Sequence, residues 1–153
     1  MSAPEFNRLP QIVLLNRQRS VQVDLKALEK FALLVLPACV RESGDGLGLY
    51  ALSALEEVVI TLVSDRRIEQ IHRQFMNIPG ATDVITFEHG EIVISAQTAE
   101  RCALEFGHSV AAETGLYLVH GLLHLNGFLD ETEPQRSRMH AVQDRIWRAA
   151  LPL

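Results

Sequence analysis

His120-Gly121-Leu122-Leu123-His124-Leu125-Asn126-Gly127-Phe128-Leu129-Asp130 decides how this 153-residue chain is read. Two histidines four apart on a helix lie on one face, because about 3.6 residues per turn returns position i+4 to nearly the same direction. Asn126-Gly127 reads as a helix stop, since glycine takes the left-handed conformation that satisfies the last carbonyls and reverses the chain. That turn is expected to carry Asp130 back towards His120 and His124. Two imidazoles and one carboxylate give an ion three protein ligands and leave a fourth tetrahedral position for water, as in catalytic zinc sites; structural sites normally use four protein ligands. A bare pair of histidines at this spacing is often accidental. Leu122, Leu123 and Leu125 set both rings near a core boundary, where an unpartnered polar group is costly, so a partner such as a metal is expected.

At this length a single domain, 1–153, is expected. Apolar residues make up 48% and charged residues 22%, the balance of a soluble globular protein rather than a disordered one. A net charge of -5 gives no general attraction for nucleic acid, so RNA binding has to come from a local basic patch and no DNA partner is expected. Cys39 and Cys102 stand far apart and form no CxxC, which suits a reducing compartment; both are expected in the core. Residues 1–10 contain Glu5 and Arg8 and lack the apolar centre of a secretory signal, and no run approaches the ~18 apolar residues of a membrane span. A cytoplasmic protein without a membrane partner is expected.

Along the chain, Ile12-Val13-Leu14-Leu15 reads as a first strand and Val58-Val59-Ile60-Thr61-Leu62-Val63 as a central one. Asp24 is a candidate cap for a helix whose apolar positions Leu25, Leu28, Phe31, Ala32 and Val35 recur up to Pro37. Gly44, Gly46 and Gly48 around Asp45 read as a surface connection rather than a phosphate cradle, because a helix precedes them and no Lys-Ser/Thr follows. Ser64-Asp65 caps a helix with Ile68, Ile71 and Phe75 as its buried stripe and Arg66, Arg67 and Arg73 on a solvated face. Thr82 to Phe87 and Gly90 to Ser95 are two short strands, a hairpin or a β-arch. Ser95 caps a helix to about Phe106, closed by Gly107, and Ser109 caps the buried helix that carries the histidines, in which Gly115 and Gly121 mark close approaches. Thr132-Glu133-Pro134-Gln135 has the form of a capping box before a last helix through Met139, Val142, Ile146 and Trp147, expected to cover the histidine helix.

Three blocks in this order, Thr82-Asp83-Val84-Ile85-Thr86-Phe87, Gly90-Glu91-Ile92-Val93-Ile94-Ser95 and His120 to Asp130, resemble the YbeY family of bacterial metal-dependent endoribonucleases. The likeness runs from Val58 to Trp147, and the third block is its most specific part. It implies an α/β fold: a small mixed, mainly four-stranded sheet with packed helices and the metal-binding helix in the core. It implies zinc held by the histidines of HGxLHLxGYxH, maturation of ribosomal RNA ends, ribosome quality control, and ribosomal RNA and the small ribosomal subunit as partners. Here His120 and His124 match the first two ligands, Asp130 stands in place of the third histidine and Phe128 in place of the usual tyrosine. A carboxylate neutralises part of the ion's charge and makes other divalent metals more competitive with zinc. Where the family usually has an asparagine and then Arg-Gly, this chain has His72 and Met76-Asn77, so the phosphate-anchoring arginine is missing; Arg73, one turn earlier, is the residue nearest to replacing it.

The leading expectation is therefore a single-strand endoribonuclease in which His120, His124 and Asp130 hold an ion that acidifies a bound water and polarises a phosphoryl oxygen. No side chain stands out as a general base. Three other readings stay open. A noncatalytic ribosome-associated factor would use the metal only to stiffen the fold. A zincin-like peptidase needs a glutamate after the first histidine, where this chain has Gly121. An iron oxygenase triad usually sits on a β-barrel. His89, His108 and His140 are read as solvent-facing, His140 being an alternative third ligand, and Glu113, two turns before His120, as either an acceptor for one imidazole or a surface carboxylate.

Overall fold

The β-branched runs of the chain assemble into one four-stranded sheet in the order β1-β2-β4-β3. The computed structural model describes residues 8–45 and 51–151. Strands β1 (Gln11–Asn16), β2 (Glu57–Val63) and β4 (Glu91–Ser95) run parallel, with Leu14 opposite Ile60 and Ile60 opposite Ile92. Strand β3 (Val84–Phe87) pairs antiparallel with β4 in a hairpin, and among the described residues no strand pairs with its outer edge. The sheet is thus mixed, and β2 is interior as its sequence implied.

Alternation along the strands divides the apolar side chains between two faces. Val58, Ile60, Leu62, Ile92 and Ile94 enter a large core with α1 (Leu25–Arg41), α4 (Val110–Leu125) and α5 (Glu133–Ala150). Val63, Ile85 and Val93 face the other way, onto Ile68 and Ile71 of α2 (Asp65–Met76). Helix α3 (Ala96–Phe106) packs beside α4. Every N-cap legible in the sequence forms: Asp24, Ser64, Ser95 and Ser109 each accept a backbone N–H three residues on, and Thr132 makes a reciprocal capping box with Gln135. Both glycines of α4 mark close contacts, a Cβ at 115 lying 2.9 Å from the Phe31 ring and one at 121 lying 2.8 Å from Ile92.

Three local expectations are corrected. Helix α1 does not stop at Pro37 but runs on to Arg41; the proline removes the N–H that would bond the carbonyl of Leu33, a residue on the exposed side where water can replace it. Phe75 is 62% exposed rather than part of the buried stripe, because α2 covers the sheet only with its first two turns. Cys102 is half-buried, whereas Cys39 is fully buried and its thiol is pushed up to about 12 by burial and by the charge of Glu42. Gly46 and Gly48 lie outside the described residues. Among those described, no helix is long and apolar enough to cross a membrane.

Asp65, the first residue of α2, also binds the start of α3. Its carboxylate accepts from Ser95 Oγ (2.6 Å), Thr98 Oγ1 (2.7 Å) and Arg101 Nη1 (2.6 Å). Burial pushes its pKa up, but these hydrogen bonds and the charge of Arg101 outweigh burial and hold it below the ordinary carboxylate value. The group binds its proton less readily folded than unfolded, so its stabilisation is complete above the unfolded pKa near 3.8 and is lost as pH falls through the lower folded value. Asp65→Asn is expected to lower stability by about 2 kcal/mol at neutral pH and by less at pH 3, measured by urea unfolding at both.

Candidate metal centre

The end of α4 builds the site. Gly127, at φ 90°, reverses the chain after the cap residue Asn126; Gly127 N donates to His124 O and Phe128 N to Leu123 O, the paired bonds of a Schellman turn. The turn brings Asp130 Oδ2 to 3.4 Å from His124 Nε2. His120 and His124 meet with their Nε2 atoms 3.0 Å apart, and one ligand atom from each of His120, His124 and Asp130 lies within 4.8 Å of the others. The structure therefore brings together the three residues singled out in the sequence. His140 is exposed on α5 and is not a member of this group.

Hydrogen bonds on the far side of each ring fix where its proton sits. His124 Nδ1 is 2.9 Å from the carbonyl of Phe128, which can only accept, so Nδ1 carries a hydrogen and Nε2 is the nitrogen left to face a ligand. His120 Nδ1 is 2.7 Å from Gln143 Oε1 and donates in the same sense. Burial and the neighbouring His124 hold the His120 pKa below its ordinary value, keeping the ring neutral. The Nε2 atoms of both rings thus converge on one point beside a carboxylate. Nitrogen ligands at about 2.0–2.1 Å around a tetrahedral ion stand about 3.3 Å apart, so this donor set fits a divalent metal.

The group opens onto a cleft of about 490 Å³, walled by the outer edge of β3 on one side and by residues 127–130 on the other. Asp83 and Glu88 line it together with Asp130, and Met76 stands at its mouth. Arg73 does not reach it: the guanidinium turns outward to pair with Glu69 at 3.0 Å. Glu113 does not serve either imidazole, because Gln143 and the Phe128 carbonyl occupy those positions; it is buried with Oε2 unpartnered, 3.9 Å from His108 Nε2. His89 and His108 are exposed as expected, and His108 also lies edge-on against Trp147, with centroids 5.1 Å apart.

The family model for endoribonuclease YbeY matches residues 13–150. The chain belongs to the YbeY family. It is 36% identical over 132 residues to the endoribonuclease YbeY of Heliobacterium modesticaldum, covering 72% of this chain and 76% of that one. It is 32% identical over 146 residues to the endoribonuclease YbeY of Macrococcus caseolyticus, covering 85% and 90%. In fold it is similar to a protein from Thermotoga maritima solved in solution, with a TM-score of 0.56, 23% identity and 91% of each chain covered.

What supports the candidate metal group in this YbeY member was not legible in its sequence. Asn126 is a cap, but its side chain reaches across to α1: Nδ2 donates to Cys39 O and Glu42 O, both at 2.8 Å, and Oδ1 accepts from Leu52 N at 3.0 Å. The Gly44-Asp45 connection docks on the turn itself. Asp45 N donates to Gly127 O, Asp45 Oδ2 accepts from Leu129 N at 3.0 Å, and a Cβ at Gly44 would lie 2.5 Å from Asn126 O. Arg138 of α5 clamps this junction, bonding Asp45 and the Ser43 carbonyl and lying 5.1 Å over the Phe128 ring. The one signal available was the pairing of small Gly44 with acidic Asp45, which also suits any solvated turn. Asn126→Ala removes three side-chain hydrogen bonds to the backbone, leaving the Leu52 N–H without its acceptor and Cys39 O with only the Glu42 N–H, and is expected to cost about 3 kcal/mol, read as a lower urea midpoint; Asn126→Asp is expected to fare no better, since it sets a carboxylate oxygen against two carbonyls.

Proposed function

We propose that this chain is a metal-dependent endoribonuclease that cuts single-stranded regions of ribosomal RNA during maturation and quality control of the small ribosomal subunit in the cytoplasm, with His120, His124 and Asp130 holding one zinc ion. The observation that carries this reading is the pair of Nε2 atoms facing each other beside the Asp130 carboxylate at the floor of an open cleft. The relatives' name, endoribonuclease, supplies the substrate class. When bound, the ion supplies Lewis acidity towards a phosphoryl oxygen and lowers the pKa of water.

The chain's own groups hold that centre in order. Gln143 and the Phe128 carbonyl keep the Nδ1 protons in place, so both rings present acceptors to the ion and neither can turn away. The carboxylate ligand favours oxygen-preferring divalent ions more than three imidazoles would. A glutamate base of the peptidase kind has no room: residue 121 faces Ile92 of the sheet rather than the cleft. One observation favours the noncatalytic ribosome-associated reading, namely that no lysine or arginine is among the residues lining the cleft while three carboxylates are.

Elemental analysis of untagged protein purified without chelators is expected to find about one divalent ion per chain, lost in Asp130→Ala. The wild type is then expected to cut single-stranded ribosomal RNA and a folded His124→Ala variant to leave it intact; a loaded wild type that binds RNA without cutting it would favour the noncatalytic reading. Gln143→Leu, which removes the acceptor from His120 Nδ1, is expected to weaken metal binding roughly 10- to 100-fold in a chelator competition titration.

A further inference from the structure

Phe75, Phe87 and His89 form a ladder of three rings beside the cleft. Phe75 meets Phe87 edge-on with centroids 5.4 Å apart, and His89 stacks on Phe87 at 5.7 Å with the planes 28° apart. The middle ring is anchored, since Phe87 packs on the core patch of Ile68, Ile71, Ile85 and Val93. The outer rings are open: Phe75 is 62% exposed and the His89 side chain 69%. The ladder stands on the cleft's rim, because Met76 and Glu88, sequence neighbours of the outer rings, both line the cleft. On its far side is a second cavity of about 560 Å³ against the open face of β1, β2 and β4, where Arg17 and Arg67 stand with His89. Neither arginine forms an ion pair among the described residues. Glu57 and Glu91 also line this cavity, Glu91 Oε2 lying 3.2 Å from His89 Nε2.

We propose that the ladder is a stacking platform for the bases of single-stranded RNA, with Phe75 and His89 each receiving one base and Arg17 and Arg67 taking the backbone phosphates beyond them. An aromatic face accepts any unpaired base, whereas bases stacked inside a duplex do not present one. The acidic lining of the cleft gives a phosphate chain little purchase, so affinity has to come from groups outside it. The two unpaired arginines select a polyanion over an apolar protein surface as the occupant. The inference deepens the nuclease reading and rests on it for the position of the scissile phosphate; binding itself does not require cleavage.

Binding is measured by fluorescence anisotropy on the metal-loaded protein, with a 2′-O-methylated mixed-sequence strand, its duplex, and a matching strand carrying abasic sites, each checked for integrity afterwards. The wild type is expected to prefer the intact single strand to both others. Phe75→Ala and His89→Ala are each expected to weaken that binding roughly tenfold with the unfolding midpoint unchanged, while Phe75→Trp keeps it. Joint substitution of Arg17 and Arg67 by alanine is expected to weaken binding and flatten its salt dependence. Equal affinity of Phe75→Ala and wild type, or indifference to abasic sites, overturns the proposal. So does a Phe75→Ala change that converts a sedimenting dimer to monomer and leaves RNA affinity intact, which would make the ladder a contact between two copies. A parallel cleavage assay on unmodified RNA separates the two readings: cutting without ring-dependent binding removes the platform alone, and ring-dependent binding without cutting removes the nuclease alone.

Discussion

The side chain of Asn126 is the joint on which the functional end of the molecule depends. One amide closes the last carbonyls of α1 with its nitrogen and holds the backbone N–H of Leu52 with its oxygen, all in a buried position. Backbone groups drawn away from water need partners, and here a single residue serves three of them from two other segments of the chain. The end of α4 is thereby fixed against α1 before the chain turns. A hydrophobic residue of similar size would fill the space and strip all three groups of this partner, leaving Cys39 O with only the Glu42 N–H.

From that fixed point the candidate metal group follows by short local steps. The Schellman turn reverses the chain, its Phe128 carbonyl orients His124, and Asp130 returns to within 3.4 Å of the same ring. The orienting group on His124 is a backbone atom, so it is indifferent to the phenylalanine that stands where the family usually has tyrosine. On His120 the same task falls to Gln143, a side chain from another helix. With both Nδ1 atoms already bonded to acceptors, two Nε2 atoms 3.0 Å apart need a proton or a metal cation between them. The acidic lining of the cleft adds to the demand for positive charge at this spot.

Much of this was legible because it is local. The histidine spacing, the Asn-Gly stop, the five N-caps and the β-branched strands each depend on neighbours within a few residues. Pro37 and Phe75 misled for a related reason: a local rule gave a break and a buried stripe, while the exposure of Leu33 and the limited reach of α2 over the sheet decided otherwise. Arg73 shares a helix face with Met76, but its guanidinium pairs with Glu69 and leaves the cleft. Glu113 lies two turns from His120, yet both imidazoles already have acceptors.

The sequence by itself determined the elements, the metal-ligand candidates and the family, since periodicity, capping and motif spacing are written along the chain. Only the tertiary structure decided which long-range partners hold those ligands: Gln143 on His120, Asn126 on α1, and Asp45 with Arg138 on the turn. Tertiary structure also brought Phe75 and His89 into contact with Phe87 beside the cleft. The physical reason is the same in each case. A hydrogen bond or a ring contact needs two groups to meet at a few ångströms, and residues tens of positions apart carry no mark of that meeting until the core has packed.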